Sequence, residues 1–99
     1  MKVRWTSPAL RQLRAAETYL QQADRKAAAR IVRRIEEAAG RLARTPHIGR
    51  PMPQRDVREL VVSGTRYIII YQVERDEVLI LALFHERQQR PTSPGRPIT

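Results

Sequence analysis

The chain contains no cysteine, which excludes a disulfide framework, a thiolate zinc site and a thiol nucleophile. Histidine is scarce as well: His47 and His85 are too few for an imidazole cage, so neither a metal nor another cofactor is expected. Acidic residues are outnumbered, 10 Asp and Glu against 19 Lys and Arg, leaving a formal net charge of +9. That surplus implies an acidic partner, whether nucleic acid, anionic lipid or an acidic protein. No apolar run approaches the roughly 18 residues of a membrane span, and Met1 to Trp5 holds no apolar leader core. A cytoplasmic location without membrane contact is the expectation. A glycine loop with a phosphate-binding lysine, a paired-histidine zinc helix and a nucleophile elbow are all missing, which removes ATPases and ordinary hydrolases.

What is present fits one α+β domain, since 99 residues leave no room for a second and a 41% hydrophobic content suffices for a small core. Residues Lys2 to Thr6 alternate, with Val3 and Trp5 on one side, as a half-buried edge strand does, and Trp5 anchors it. Ser7-Pro8 reads as a helix start, with the Ser hydroxyl as cap and Pro in the first turn. Leu10, Leu13, Ala16 and Leu20 then form a narrow apolar stripe in a helix running to about Gln22. Asp24 caps a second helix whose Ala28, Ile31, Val32, Ile35, Ala39 and Leu42 share one arc, opposite Arg30, Arg33, Arg34, Arg41 and Arg44. That arginine back is either a solvated face or a contact surface for an acidic partner. From Thr45 to Asp56, Pro46, Gly49, Pro51 and Pro53 exclude regular helix or strand and mark a surface connection.

Three strands follow, Val57 to Val62, Tyr67 to Val73 and Val78 to Phe84, joined by Ser63-Gly64-Thr65 and by Arg75-Asp76 as antiparallel hairpins. Strict alternation puts Val78, Ile80, Ala82 and Phe84 on one face of the last strand and Leu79, Leu81 and Leu83 on the other. The last two strands are therefore apolar on both faces. The two helices cover one face, and the other needs a loop, the tail, a second copy or another protein. Residues 91–99, rich in Pro with Gly95 and Arg96, read as a frayed basic tail beyond a domain of residues 1–90.

Polar candidates gather at strand ends: Arg58, Glu59, Arg66, Tyr67, Tyr71, His85, Glu86 and Arg87. A metal-free ribonuclease needs a base, an acid and a cation beside the phosphorane, roles open to His85, Glu59, Arg58 and Arg87. Arg58 and Glu59, however, are adjacent in a strand and point to opposite faces, so only one converges with His85. Each residue also has an ordinary explanation. His85 can hydrogen-bond a backbone carbonyl at the sheet end, Tyr67 and Tyr71 can pack, and the Arg58/Glu59 and Arg87/Glu86 neighbours can form cross-strand ion pairs.

The segment Pro46-His47-Ile48-Gly49-Arg50-Pro51, followed by Val57-Arg58-Glu59-Leu60, Tyr67-Ile68-Ile69-Ile70-Tyr71-Gln72-Val73, Val78-Leu79-Ile80-Leu81 and His85-Glu86-Arg87-Gln88, resembles the RelE/ParE superfamily of toxins from type II toxin-antitoxin systems, nearest the ParE branch. The resemblance covers about residues 1 to 90. It implies a β-α-α-β-β-β domain, a two-helix hairpin packed on a small antiparallel sheet, that inhibits growth, stabilises plasmids and assembles with a cognate antitoxin through that partner's acidic C-terminal segment. RelE-like members cleave mRNA on the ribosome; ParE-like members inhibit DNA gyrase without hydrolysis. Against the RelE-like pattern, Ile68 stands where a catalytic Arg is expected, Glu59 and Val61 replace lysines, and Ser93 falls at the late Tyr, while Arg87 matches. An Ile cannot stabilise a phosphorane. The implied function is gyrase inhibition, with Arg58, Arg66, Tyr71, His85 and Arg87 as the target- or antitoxin-binding set. A ribosome-dependent endonuclease using His85, Arg58, Arg87 and Glu59 is the alternative, and a non-toxic basic interaction module or decayed toxin the third reading.

Overall fold

In the computed structural model, which describes residues 1–88, the alternating start of the chain is β1 (Lys2–Trp5). Thr6 caps the first helix, α1 (Ser7–Ala23), and Ser7 and Pro8 lie inside its first turn. The expected cap at Ser7 is thus displaced by one residue. Thr6 is extended, and its hydroxyl accepts from Ala9 N at 3.5 Å while donating to Ile80 O at 2.7 Å, so one side chain ties the helix start to the sheet. Asp24 ends α1 through its N–H to Leu20 O and caps α2 (Arg25–Arg41), its Oδ1 accepting from Lys26 N at 3.0 Å and Ala27 N at 3.1 Å. Along α1 the buried residues are Ala9 and Leu13, with Ala16 and Leu20 packed beside them, whereas Leu10 is exposed. Along α2 Ala28, Ile35, Ala38, Ala39 and the C-cap Leu42 are buried, and Ile31 and Val32 pack against them.

The remaining strands are β2 (Arg50–Pro51), β3 (Val57–Val61), β4 (Tyr67–Val73) and β5 (Glu77–His85). They form one sheet in the order β1-β5-β4-β3-β2, antiparallel except that β1 runs parallel to β5, so the sheet is mixed. Two expectations are corrected here. The proline-rich connection does contain a strand, because Pro51 sits on the outermost strand, where the N–H it lacks has no ladder partner to lose. The second concerns β5. Tyr71 pairs with Ile80 but Ile70 pairs with Ala82, so Leu81 is one residue too many. Beyond it the alternation inverts. Val78, Ile80 and Leu83 join the helix-side core with Tyr67, Ile69 and Tyr71, while Ala82 and Phe84 go to the opposite face with Ile68 and Ile70. Met52 and Val57 pack on that second face, so the 45–56 connection supplies part of the cover it needs.

The connection is folded inward rather than draped. Tyr71 Oη accepts from Gly49 N at 2.9 Å and donates to Pro46 O at 2.8 Å, from a side chain with no accessible surface. A Cβ on Gly49 would meet Tyr71 Oη at 2.6 Å and Glu59 O at 2.8 Å, which is why glycine stands there. At the β3–β4 turn Gly64 has φ +78°, and Thr65 Oγ1 closes the turn by donating to Val62 O at 2.9 Å. No helix among the described residues is long and apolar enough to cross a membrane. The tail expected over 91–99, and with it Ser93, lies outside the described residues.

Tyr71→Phe removes both hydroxyl bonds and strands a buried amide, so it is expected to cost about 1–3 kcal/mol in urea unfolding. Asp24→Ala, which loses only an exposed cap, is expected to cost about 1 kcal/mol.

Candidate functional site

A cleft of about 610 Å³ opens between α1 and the C-terminal half of β5, lined on the helix side by Gln12, Ala16 and Tyr19 and on the sheet side by Tyr67, Leu83, His85 and Arg87. It exists because β1 is shorter than the strand it pairs with. The β1–β5 ladder ends at Trp5↔Ile80, while β5 continues to His85, leaving residues 81–85 without a strand on that side. Glutamine side chains take the strand's place: Gln12 Oε1 accepts from Leu83 N at 2.8 Å, and Gln88 Oε1 accepts from His85 N at 2.7 Å.

His85 is set against Tyr67 by the register of β4 and β5 and meets its ring edge-on, with centroids 5.3 Å apart at 88°. Its Nδ1 accepts from Arg87 N at 3.1 Å. In the neutral ring the proton is therefore on Nε2, and the free lone pair a general base needs is already engaged. The backbone bond of His85 thus runs from a main-chain amide into the ring, the reverse of a His donating to a carbonyl. Beside it, Arg66 Nη1 pairs with Glu86 Oε2 at 2.6 Å, an exposed pair reinforced by Glu86 N donating to Arg66 O at 2.7 Å.

The other sequence candidates lie elsewhere. Arg58 donates to Gly49 O at 2.7 Å and His47 O at 3.1 Å, clamping the same loop that Tyr71 holds. Glu59 points to the opposite face, is buried at 4% exposure, and is paired with Arg50 across the β2–β3 ladder. By register Arg58 faces Tyr71 and His85 faces Tyr67, which separates them by about 13 Å along the sheet and about 10 Å across it. The structure brings together His85, Arg87 and Tyr67 in the cleft, with Arg66 beside it on Glu86; it does not bring Arg58 or Glu59 to them, and Tyr71 is interior. Ion pairs do form, but Glu59 takes Arg50 and Glu86 takes Arg66 rather than their sequence neighbours. Ile68 is buried on the second face. Tyr19, at 70% exposure, and Gln12 are cleft residues that sequence reasoning missed; the signal was a large aromatic outside α1's apolar stripe. Among the described residues no cluster of three or more His, Cys, Asp and Glu could hold a metal.

The family described as "ParE toxin of type II toxin-antitoxin system, parDE" matches residues 3–90. A protein of Sinorhizobium fredii (strain NBRC 101917 / NGR234) named "Putative toxin Y4kP" is 44% identical over 90 residues, which cover 91% of this chain and 93% of that one. A chain of the solved structure described as "Chromosomal ParDE TA system from P. aeruginosa" superposes with a TM-score of 0.74 at 25% identity, over 86% of this chain and 95% of that chain.

Burial raises the phenol of Tyr67 above its ordinary value of 10.0, with the nearby Tyr19 adding to the shift. Burial likewise raises Tyr71, outweighing the Gly49 hydrogen bond and the Arg58 charge that act the other way. The fold favours the neutral phenols, so their contribution to stability is whole below about pH 10 and declines as pH rises through the folded values. Urea midpoints are expected to hold up to about pH 10 and fall above it. In an alkaline absorbance titration, late-ionising tyrosines should be absent from the Tyr67→Phe/Tyr71→Phe variant.

Proposed function

Because the chain belongs to the ParE family of toxins from type II toxin-antitoxin systems, we propose that it arrests growth by binding DNA gyrase, without hydrolysis of its own, and is neutralised by a cognate antitoxin. The observation that carries the non-hydrolytic part is the dispersal of the groups a nuclease would need. Arg58 is spent on loop carbonyls, Glu59 is buried under Arg50, and Ile68 offers no cation, so among the described residues His85 has only Arg87 as a cationic companion in the cleft. A phosphorane forming there would lack the set of charges that lowers its barrier.

The antitoxin's acidic segment docks in the cleft between α1 and β5. What supports this is the combination of a strand edge with no neighbouring strand, exposed Tyr19 and cationic Arg87 in the cleft lining. An extended peptide adding to that edge would replace Gln12 and Gln88 with main-chain partners, and its carboxylates would meet Arg87. The ordering cost of a segment disordered on its own is offset by burying Tyr19 and the cleft floor.

Purified gyrase should lose supercoiling activity when this protein is added and should accumulate cleaved DNA. Undiminished supercoiling at large molar excess rejects the gyrase reading. Codon-position cuts in transcripts with supercoiling intact would replace it by the ribosome-dependent endonuclease, built on His85 and Arg87. For the antitoxin, Arg87→Glu is expected to weaken binding by at least about tenfold in calorimetry, whereas Arg75→Glu, away from the cleft, should leave it unchanged.

A further inference from the structure

The outer face of α2 is used by none of these interactions. Lys26, Arg30, Arg33, Arg34 and Arg41 are all exposed, and at 100° per residue they fall within an arc of about 100° on the side away from Ile35. From Lys26 to Arg41 the stripe runs about 22 Å along the axis. Among the described residues none of these cations is joined to a carboxylate; the arginines in ion pairs are Arg4, Arg50, Arg55 and Arg66. Glu37 lies inside the arc, one turn from both Arg33 and Arg41, and is paired with neither. The guanidinium of Arg34 lies over the β3–β4 turn, where a Cβ on Gly64 would come within 2.7 Å of its Nη1, so the basic surface continues onto the sheet end.

Such a stripe works against the helix that carries it. Lys26 with Arg30, and Arg30 with Arg34, are like charges one turn apart, which destabilises a helix, and a face that served only solubility would intersperse the two signs rather than set five cations against the single carboxylate of Glu37. An acidic peptide is a poor match, since a segment that orders on binding must bury apolar surface and this stripe has none. Single-stranded nucleic acid is a poor match as well, because the stripe holds no aromatic ring on which bases could stack. A duplex backbone needs neither, as its phosphates are already fixed at close spacing. The stripe is long enough to bridge the about 12 Å major groove of DNA from one backbone to the other, a span that the narrow major groove of duplex RNA does not present.

We infer that the outer face of α2 docks on the phosphate backbone of double-stranded DNA, without regard to base sequence. This docking does not rest on the gyrase reading, and its test uses only the purified chain and a labelled duplex of arbitrary sequence. Fluorescence anisotropy should give a Kd in the range of about 10⁻⁴–10⁻⁶ M at physiological salt, with log affinity falling linearly against log salt. Arg30→Gln/Arg33→Gln/Arg41→Gln should weaken binding by at least about tenfold and flatten the slope by up to about 0.9 for each phosphate no longer neutralised. The control Arg11→Gln/Arg14→Gln/Arg75→Gln removes the same charge from other exposed positions and should change affinity less. Glu37→Gln, which deletes the carboxylate inside the stripe, should tighten binding. Equal losses in the two triple variants, no gain from Glu37→Gln, or preference of the same face for polyglutamate or duplex RNA would each overturn the inference.

Discussion

One surplus residue in β5 sets the layout of this molecule. With Leu81 bulged, the β4–β5 register places His85 opposite Tyr67; without it, continuing the Tyr71↔Ile80 pairing would place Phe84 there and turn His85 to the other face. The helix-side cleft would then hold a phenylalanine in place of His85, and the second face would lose the ring that packs with Ile68 and Ile70. The same displacement aims Leu83 N at α1, where Gln12 receives it. The histidine of the cleft and the closure of the second face both follow from a single break in the two-residue period of a strand.

A second constraint absorbs much of the polar chemistry that a reader of the sequence would assign to function. Tyr71 and Arg58 face each other across the β3–β4 ladder, and both reach the same loop, the tyrosine holding Pro46 O and Gly49 N, the arginine Gly49 O and His47 O. Glu59, next along β3, turns to the other face and receives Arg50 from β2. A connection with prolines at positions 46, 51 and 53 has few amides to satisfy itself with, and the sheet supplies the missing bonds. These residues build the floor on which Met52 can cover the second apolar face.

The protein thereby presents chemically distinct surfaces. At the α1–β5 cleft, aromatic rings and a strand edge with no neighbouring strand meet Arg87, conditions that favour an extended peptide with some apolar character. The α2 back offers unpaired cations and no grease, conditions that favour a polyanion whose geometry is fixed beforehand. A net charge of +9 says only that some anion is wanted; the placement of cations along the back of α2 and of Arg87 at the cleft separates two surfaces of different chemistry. Because the surfaces lie on different helices, occupation of one does not require vacating the other.

Most of the architecture was legible in the sequence, because it is written in residues close to one another along the chain. The 3.6-residue spacing of Ile31, Ile35, Ala39 and Leu42, the Asp24 cap and the β-branched runs after residue 57 each reveal their element to a local reading. Of the cleft, His85, Tyr67 and Arg87 were singled out by type and position, whereas Tyr19 and Gln12 were not, and Arg58, Glu59 and Tyr71 lie away from it. What only the tertiary structure decided is register and partnership: the parallel pairing of β1 with β5, the bulge at Leu81 among residues all equally apolar, the choice of Arg50 for Glu59, and the tyrosine that anchors a loop 22 residues away. The physical reason is that periodicity records which face of an element is buried, whereas register depends on fitting side chains brought together from distant parts of the chain, and no local pattern carries that fit.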